Sequence, residues 1–382
     1  MQRNLQTSSR LLMVTDTSMV IKDGKVYAFG PVVRELDVFH EIFSSIIWIG
    51  FKRTDLINDN SLLPVPNSVQ CILLKSSGGN SLYKKFGVLF QIPKMFFHLL
   101  NNLFKSDVIH VRSPSSPAII AIIVSYFFKN KVWWVKYAGN WGEQKPPFFY
   151  NLQRVLLRNT NFCKVTINGR WDNQPKHILT FENPCLSFEN RINGKSILLC
   201  KNYKDKLNLC FVGHLTLMKG ADFLLKALRD LSNNKFIGTV HIIGSGELLP
   251  EFINLCKYVN FEIILHGYIS NSDVHEIMKL SHLLILPSRS EGFPKVIAEA
   301  ANYGCIPVVT DISAIGQIVI DGFNGFLILP TCLEDGHLSR NLIKIFEQKN
   351  LKEIAINSFE MADLFTFQRY SSQITTFILN EC

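Results

Sequence analysis

Short runs of β-branched and other apolar residues alternate with stretches of helical periodicity along almost the whole chain, the pattern of βαβ units built on parallel sheets. In the first half the apolar runs at 11–14, 45–50, 69–74, 108–111 and 132–136 predict strands. Helical spacing predicts helices at 32–43, 86–104 and 117–128, with Pro117 in the first turn, where a missing N–H costs nothing. A second series of strands is expected at 207–212, 239–243, 262–266, 282–286 and 306–310, punctuated by Gly213, Gly244, Gly267 and Gly304. Between the two series, 186–206 is polar and breaks the alternation. The expected organisation is an N-terminal domain over 1–187, a linker over 188–206, a C-terminal domain over 207–360, and a last helix over 361–382 that packs back toward the first domain. The fold class is α/β: two Rossmann-like doubly wound domains facing across a cleft. A length of 382 residues suits two domains of roughly 150 to 200 residues each.

Composition narrows the picture. Hydrophobic residues at 47% and charged residues at 19% exclude a disordered or fibrous chain. The net charge of +9 is uneven, with a basic surplus of ten over 1–190 and a deficit of one over 191–382. Such a surface attracts phosphorylated ligands or anionic lipid, or is plain solvated charge; no Lys/Arg block of the nucleic-acid type is present. The nine cysteines are dispersed and never form C-x-x-C, which points to reduced thiols in the cytoplasm. The greasiest stretch, 118–128, is shorter than the ~20 residues of a spanning helix, so the expected location is cytoplasmic, at most at the inner face of the membrane. The segment 86–104 mixes Phe, Leu and Met with Lys84, Lys85, Lys94 and Lys105; it reads either as a membrane-interface stripe or as a helix face turned to the core.

Candidate chemistry lies at the carboxyl ends of strands, where open parallel sheets bind ligands. After the strand at 282–286 comes Pro287-Ser288-Arg289-Ser290-Glu291-Gly292-Phe293-Pro294-Lys295-Val296-Ile297-Ala298-Glu299. Pro294 suits the first helical position, so Glu291 falls before the helix and Glu299 inside it. Between them, Gly292 and the helix N-terminal amides make an anion site. One ligand with hydroxyls at both ends and phosphates in the middle satisfies this arrangement. The alternative is that Glu299 is an ordinary surface acid and Glu291 a dipole-complementing one. Two further strand-to-helix turns are Val212-Gly213-His214 leading to Lys219-Gly220, where a lysine can meet a phosphate, and Ile243-Gly244-Ser245-Gly246.

In this order the motifs over 207–328 resemble the C-terminal domain of retaining glycosyltransferases of family 4, with the GT-B fold; over the first half the likeness is architectural. The resemblance runs through His266-Gly267-Tyr268 and Tyr303-Gly304-Cys305 to Gly322-Phe323-Asn324-Gly325, and more loosely to Phe365-Thr366-Phe367. It implies a nucleotide diphosphate sugar donor and a glycan or lipid-linked acceptor in cell-surface polysaccharide synthesis, with no cofactor and no divalent metal in the site. Glu299 would hold the donor ribose and Glu291 the sugar hydroxyls, Lys219 would neutralise the diphosphate, and backbone from Gly267 through Tyr268 to Ile269 would flank the base. Gly213, Gly244, Gly292, Phe293 and Pro294 would line the donor, and Gly30, in the loop Phe29-Gly30-Pro31, would cover the diphosphate. Two departures stand out. His214 replaces the usual arginine, which makes neutralisation weaker or pH-dependent, and Arg112 stands where many relatives have a histidine. Arg112, Asn140 and Trp141 are candidates for the acceptor side. Competing functions are a nucleotide-sugar epimerase of the same architecture and a non-catalytic subunit that binds nucleotide sugars or lipid head groups.

Overall fold

The computed structural model describes residues 9–53, 61–75, 82–333 and 336–380, with side chains for all of these but 82–91. The chain forms two compact units, one of Met1–Glu182 with Phe367–Cys382 and one of Asn183–Thr366. The sequence suggested divisions at 187 and 360.

Unit 1 is built on strands β1 (Arg10–Lys22), β2 (Lys25–Phe29), β3 (Ser45–Lys52), β4 (Leu62–Pro64), β5 (Val69–Lys75), β6 (Val108–Ser113), β7 (Val132–Tyr137), β8 (Cys163–Ile167) and β9 (Ile178–Thr180). Seven of them lie parallel in the order β5-β3-β1-β6-β7-β8-β9. The far end of β1 continues into an antiparallel ribbon with β2 and β4. Side chains alternate across the sheet: Leu12 and Val14 face one core and Leu11 and Met13 the other. Helices α1 (Gly30–Val33) and α2 (Glu35–Ile42) lie on the second face. The first is covered by α3 (Leu82–Leu103), α4 (Ser116–Ser125) and α5 (Phe148–Arg158). The C-terminal helix Phe367–Gln373 and the turn after it join the second face through Tyr370, Ile374, Ile378 and Leu379.

Unit 2 opens with α6 (Phe188–Cys200), followed by β10 (Leu207–Val212), α7 (Ala221–Asp230), β11 (Ile237–Ile243), α8 (Leu249–Leu255), β12 (Ile263–Gly267), α9 (Asn271–Leu280), β13 (Leu283–Leu286), α10 (Lys295–Ala301), β14 (Ile306–Thr310), β15 (Phe326–Ile328), α11 (His337–Phe346) and α12 (Leu351–Ala362). Its six strands are all parallel, in the order β12-β11-β10-β13-β14-β15. In both units the strand order reverses beside the first strand, the doubly wound arrangement whose switch point opens a crevice for ligands.

Several expectations are corrected. The stretch expected as a linker over 188–206 is largely helix α6. Ser187 and Asn190 form a reciprocal capping box, and Gly194 packs so closely on Asn302 that a Cβ would sit 2.1 Å from its carbonyl oxygen. Arg191 fastens the helix, donating to Asn302 Oδ1 at 3.0 Å and to the Phe359 carbonyl at 2.9 Å. The helix expected at 32–43 is two pieces, parted at Arg34. Strands β2, β4, β8, β9 and β15 had no counterpart in the reading of the pattern. None of the described helices is long and apolar enough to cross a membrane.

Candidate functional site

The polar residues expected from the sequence gather most densely at the switch point of unit 2. The loop after β10 and the loop after β13 close on each other there, because Gly220 is left-handed at φ 69° and a Cβ on it would lie 1.8 Å from the Pro287 carbonyl oxygen. Only glycine permits that approach. A second close contact brings in β11: a Cβ on Gly244, at φ 123°, would lie 2.0 Å from the Gly213 carbonyl oxygen. The Gly213 amide donates to Ile243 O at 3.0 Å and the Gly244 amide to Gly267 O at 2.8 Å. These three loops are thus fixed by backbone before any side chain acts.

Onto this floor the side chains converge. Lys219 Nζ stands 2.5 Å from Glu291 Oε1, and Ser288 Oγ donates to the same oxygen at 3.0 Å. An ammonium has three donors, so the contact with Glu291 orients the lysine without exhausting it. Arg289 forks onto Asp222 with two bonds of 2.7 Å, its guanidinium 3.9 Å above the Phe223 ring, while its amide donates to Met218 O. This clamp ties the two loops together. His214 Nδ1 pairs with the hydroxyl of the exposed Tyr268 at 2.8 Å. Gly267 is left-handed at φ 64°, with nothing within 4 Å of the place a Cβ would take.

Helix α10 starts at Lys295, one position later than the sequence suggested, with Pro294 as its N-cap, and no side chain caps it. Its first amides, with that of Gly292, are the anion-attracting end of a helix. Glu299 is half-buried within α10. Its side chain makes no hydrogen bond or ion pair with a described residue. Phe293 does not offer its ring: it is buried and stacks on Phe365 at 4.8 Å, with the planes 17° apart.

The residues singled out in unit 1 make their contacts within that unit. Arg112, expected on the acceptor side, donates to Glu35 Oε2 at 2.7 Å. Lys136 reaches the same buried carboxylate at 3.0 Å, and lies 3.4 Å from the Tyr370 hydroxyl. Arg112 and Lys136 are direct cross-strand neighbours, so one carboxylate holds two adjacent cations. Trp141 is buried edge-on against Tyr137 at 5.0 Å, a packing residue and not an exposed platform. Asn140 Oδ1 accepts from the Gly142 amide, closing a turn. Gly30 is buried and its amide donates to Ser61 O at 2.9 Å, so that donor is already used. His110 is enclosed between Phe39 and Trp134, and burial, with the Arg112 and Lys136 charges beside it, holds it well below its ordinary pKa. It is a neutral core residue.

Sequence reasoning did not assign roles to Ser288, Arg289 or Asp222. The signal was present for all three, since each lies within two or three residues of Glu291 or Gly220. The Glu35–Arg112–Lys136–Tyr370 cluster had no local signal.

Fold and site together define the class: a protein with two Rossmann-like units of the GT-B type. Residues 201–359 match the family model described as Glycosyl transferases group 1, and the match falls within unit 2. An uncharacterized glycosyltransferase of Methanocaldococcus jannaschii is 30% identical over 42% of this chain and 44% of its own length. The UDP-Gal:alpha-D-GlcNAc-diphosphoundecaprenol alpha-1,3-galactosyltransferase of Escherichia coli is 31% identical over 31% of each chain. The match thus spans under half the length of these curated relatives. Among solved structures, Anabaena HepE in complex with UDP superposes with a TM-score of 0.65 over 96% of this chain and 98% of that one, at 16% identity. That likeness carries the fold.

Proposed function

We propose that the chain is a retaining glycosyltransferase of the family 4 type, moving a hexosyl group from a nucleotide diphosphate sugar to a glycan or lipid-linked acceptor during cell-surface polysaccharide synthesis. The observation that carries the reading is the arrangement at the switch point of unit 2. Lys219, held on Glu291, and an uncapped helix end precede a half-buried carboxylate, Glu299, whose side chain makes no hydrogen bond or ion pair with a described residue. Lys219 and the amides near Gly292 hold the diphosphate, Glu299 takes the ribose hydroxyls, and Glu291 takes hydroxyls of the sugar. Gly213 and Gly244 let backbone approach the phosphates, and Tyr268 with Gly267 borders the base. The donor of the Escherichia coli relative is named as UDP-Gal and its acceptor as a diphosphoundecaprenol-linked sugar, and HepE was solved with UDP; the first supports a nucleotide-sugar donor and a lipid-linked acceptor here, the second a nucleotide donor.

In the reaction the bond between the anomeric carbon and the diphosphate oxygen breaks, and the acceptor oxygen bonds to that carbon on the same face. The acceptor proton passes to the departing phosphate. Negative charge grows on the leaving group, so preorganised donors aimed at it supply the main rate gain. In this reading protein groups neutralise that charge and no divalent ion is called for. The cytoplasmic side is where reduced cysteines belong and where the reaction is placed.

The test has two stages. A cognate donor at a hundred times its Kd adds ~2.7 kcal/mol to stability, read by thermal shift across a panel of nucleotide sugars, and Glu299→Gln should weaken that donor roughly ten- to a hundredfold. Transfer should then give a product of retained anomeric configuration by NMR and be lost in Glu291→Ala. No donor binding at all would overturn the reading; an inverted product would overturn its retaining chemistry; donor turnover without acceptor would favour an epimerase.

A further inference from the structure

The outer face of α3 and α4 in unit 1 exposes large apolar side chains that neither the core nor the transferase reading uses. On α3 the core is served by Met95, Leu99 and Leu103, all buried, while Phe97 on the helix and Phe104, just past its end, are 66% and 64% exposed. On α4, Ala118, Ala121 and Ile122 face inward, whereas Ile123 is 48% exposed and Phe127, just past the helix, 79%. The two helices pack side by side, and Phe104 sits edge-on to Phe128 at 5.5 Å. Exposed hydrophobics scattered singly are ordinary; several on one face mark an interaction surface.

The charges around them are of one sign. Lys94 lies on the same helical stripe as Phe97 and is exposed, as are Lys105 and Lys129. Lys129 also lies 5.2 Å from the centroid of the Phe162 ring. Lys131 donates to Ser106 O at 2.7 Å. From 82 to 142 the sequence contains a single carboxylate, Asp107, and Arg10 holds it through its amide at 2.9 Å and its Nε at 3.4 Å. Lys84 and Lys85 lie outside the described side chains.

We propose that this face docks on an anionic lipid bilayer, with Phe97, Phe104, Ile123 and Phe127 at the boundary of head groups and acyl chains and Lys94, Lys105 and Lys129 on the lipid phosphates. Phenylalanines on an apolar face with lysines flanking it are the composition of an interfacial surface. Charge selects the occupant. A second copy pairing through the same face would set these lysines against their own equivalents, with no spare carboxylate to offset them. A phosphate-bearing membrane supplies the opposite sign.

The docking does not rest on the donor site, and its test is run without nucleotide. The full chain is sedimented with vesicles of phosphatidylcholine alone and of phosphatidylcholine with phosphatidylglycerol. Binding to the anionic vesicles should be at least tenfold tighter and should weaken with added salt. Phe97→Ser with Phe127→Ser should cut it at least tenfold, and Lys105→Glu with Lys129→Glu more than twentyfold, since each lysine at a charged surface contributes roughly fivefold. These side chains are exposed, so both double variants should melt like the parent and keep its donor shift. Equal binding to the two vesicle types, or anionic binding that both variants retain, would overturn the proposal. So would a dimer in sedimentation equilibrium that the phenylalanine variant turns to monomer, which would give the face to a second copy.

Discussion

The two units share a strand order yet treat the switch-point ends of their strands in opposite ways. In unit 1, Arg112 at the end of β6 and Lys136 beside it on β7 close on Glu35, which is fully buried. In unit 2, the loops after β10 and β13 carry Lys219 and Glu291, whose side chains keep 31% and 11% of their surface, and the side chain of Glu299 makes no hydrogen bond or ion pair with a described residue. A charge that satisfies its neighbours stabilises a fold; one held in place with bonds to spare is available to a ligand. On the function proposed above, one crevice has a structural task and the other a chemical one, although both were built by the same topology.

The sharpest way to break that contrast is Glu35→Gln. Removing the carboxylate leaves two adjacent cations without their counter-charge, and breaking a buried pair from one side costs about 3–5 kcal/mol. Denaturant unfolding should show a loss of that order, with the donor affinity of the surviving folded protein unchanged. A stable Glu35→Gln protein that binds donor as poorly as Glu299→Gln would mean that the unit 1 cluster is part of the ligand site and that the contrast is wrong.

How far the sequence could be read follows the same division. The unit 2 site was legible because its parts are local: Gly213, Lys219 and Gly220 fall in one short segment, Glu291 to Glu299 in another, and the parallel strand order places the two segments side by side. The cluster of Glu35, Arg112, Lys136 and Tyr370 joins residues 77 to 234 positions apart, and no periodicity encodes such a meeting. Arg112 therefore read as a ligand residue, with no sign in the sequence that its partner is Glu35. Strands β4, β9 and β15 have three residues each, too few for alternation to register. The supposed linker failed for a different reason. Its polar composition suggested loop, but Ser187 and Asn190 carried a cap signal, and its packing on Asn302 needs Gly194, a residue that otherwise argues against helix.

The opposite end of the unit 2 sheet extends the comparison, because there too polar groups are spent on structure. His282 precedes β13 and its Nδ1 accepts the Asn208 amide at 2.9 Å. Burial, helped by the nearby Lys201 charge, pushes its pKa down from 6.5 to about 4. The folded state thus favours the neutral ring, so the unfolded chain takes up the proton first. Stability from this group is present above pH 6.5 and is lost as pH falls toward 4. Between pH 7.5 and 5 the loss should be about 2 kcal/mol. His282→Asn, which keeps an acceptor for the Asn208 amide, should lose that much less over the same interval in denaturant titrations. Identical losses in the two proteins would show that His282 is not held neutral.

The smallest effect tests the line between positioning a charge and offering it. Arg289 is the one large cation of the unit 2 loops whose fork is fully committed, to Asp222 on one side and to the Phe223 ring on the other. Arg289→Lys keeps the charge but loses the planar fork and most of the stacking. Both partners are partly exposed, at 34% and 28%, so the stability loss should stay near ~1 kcal/mol. The clamp holds the loops that bear Lys219 and Glu291, so loosening it should lower donor affinity about two- to fivefold, a fraction of the effect of Glu299→Gln. Isothermal titration of the two variants separates the roles. Should Arg289→Lys weaken donor as much as Glu299→Gln while unfolding like the parent, Arg289 would be a group that touches the donor, and the committed charges of unit 2 would have to be counted with the available ones.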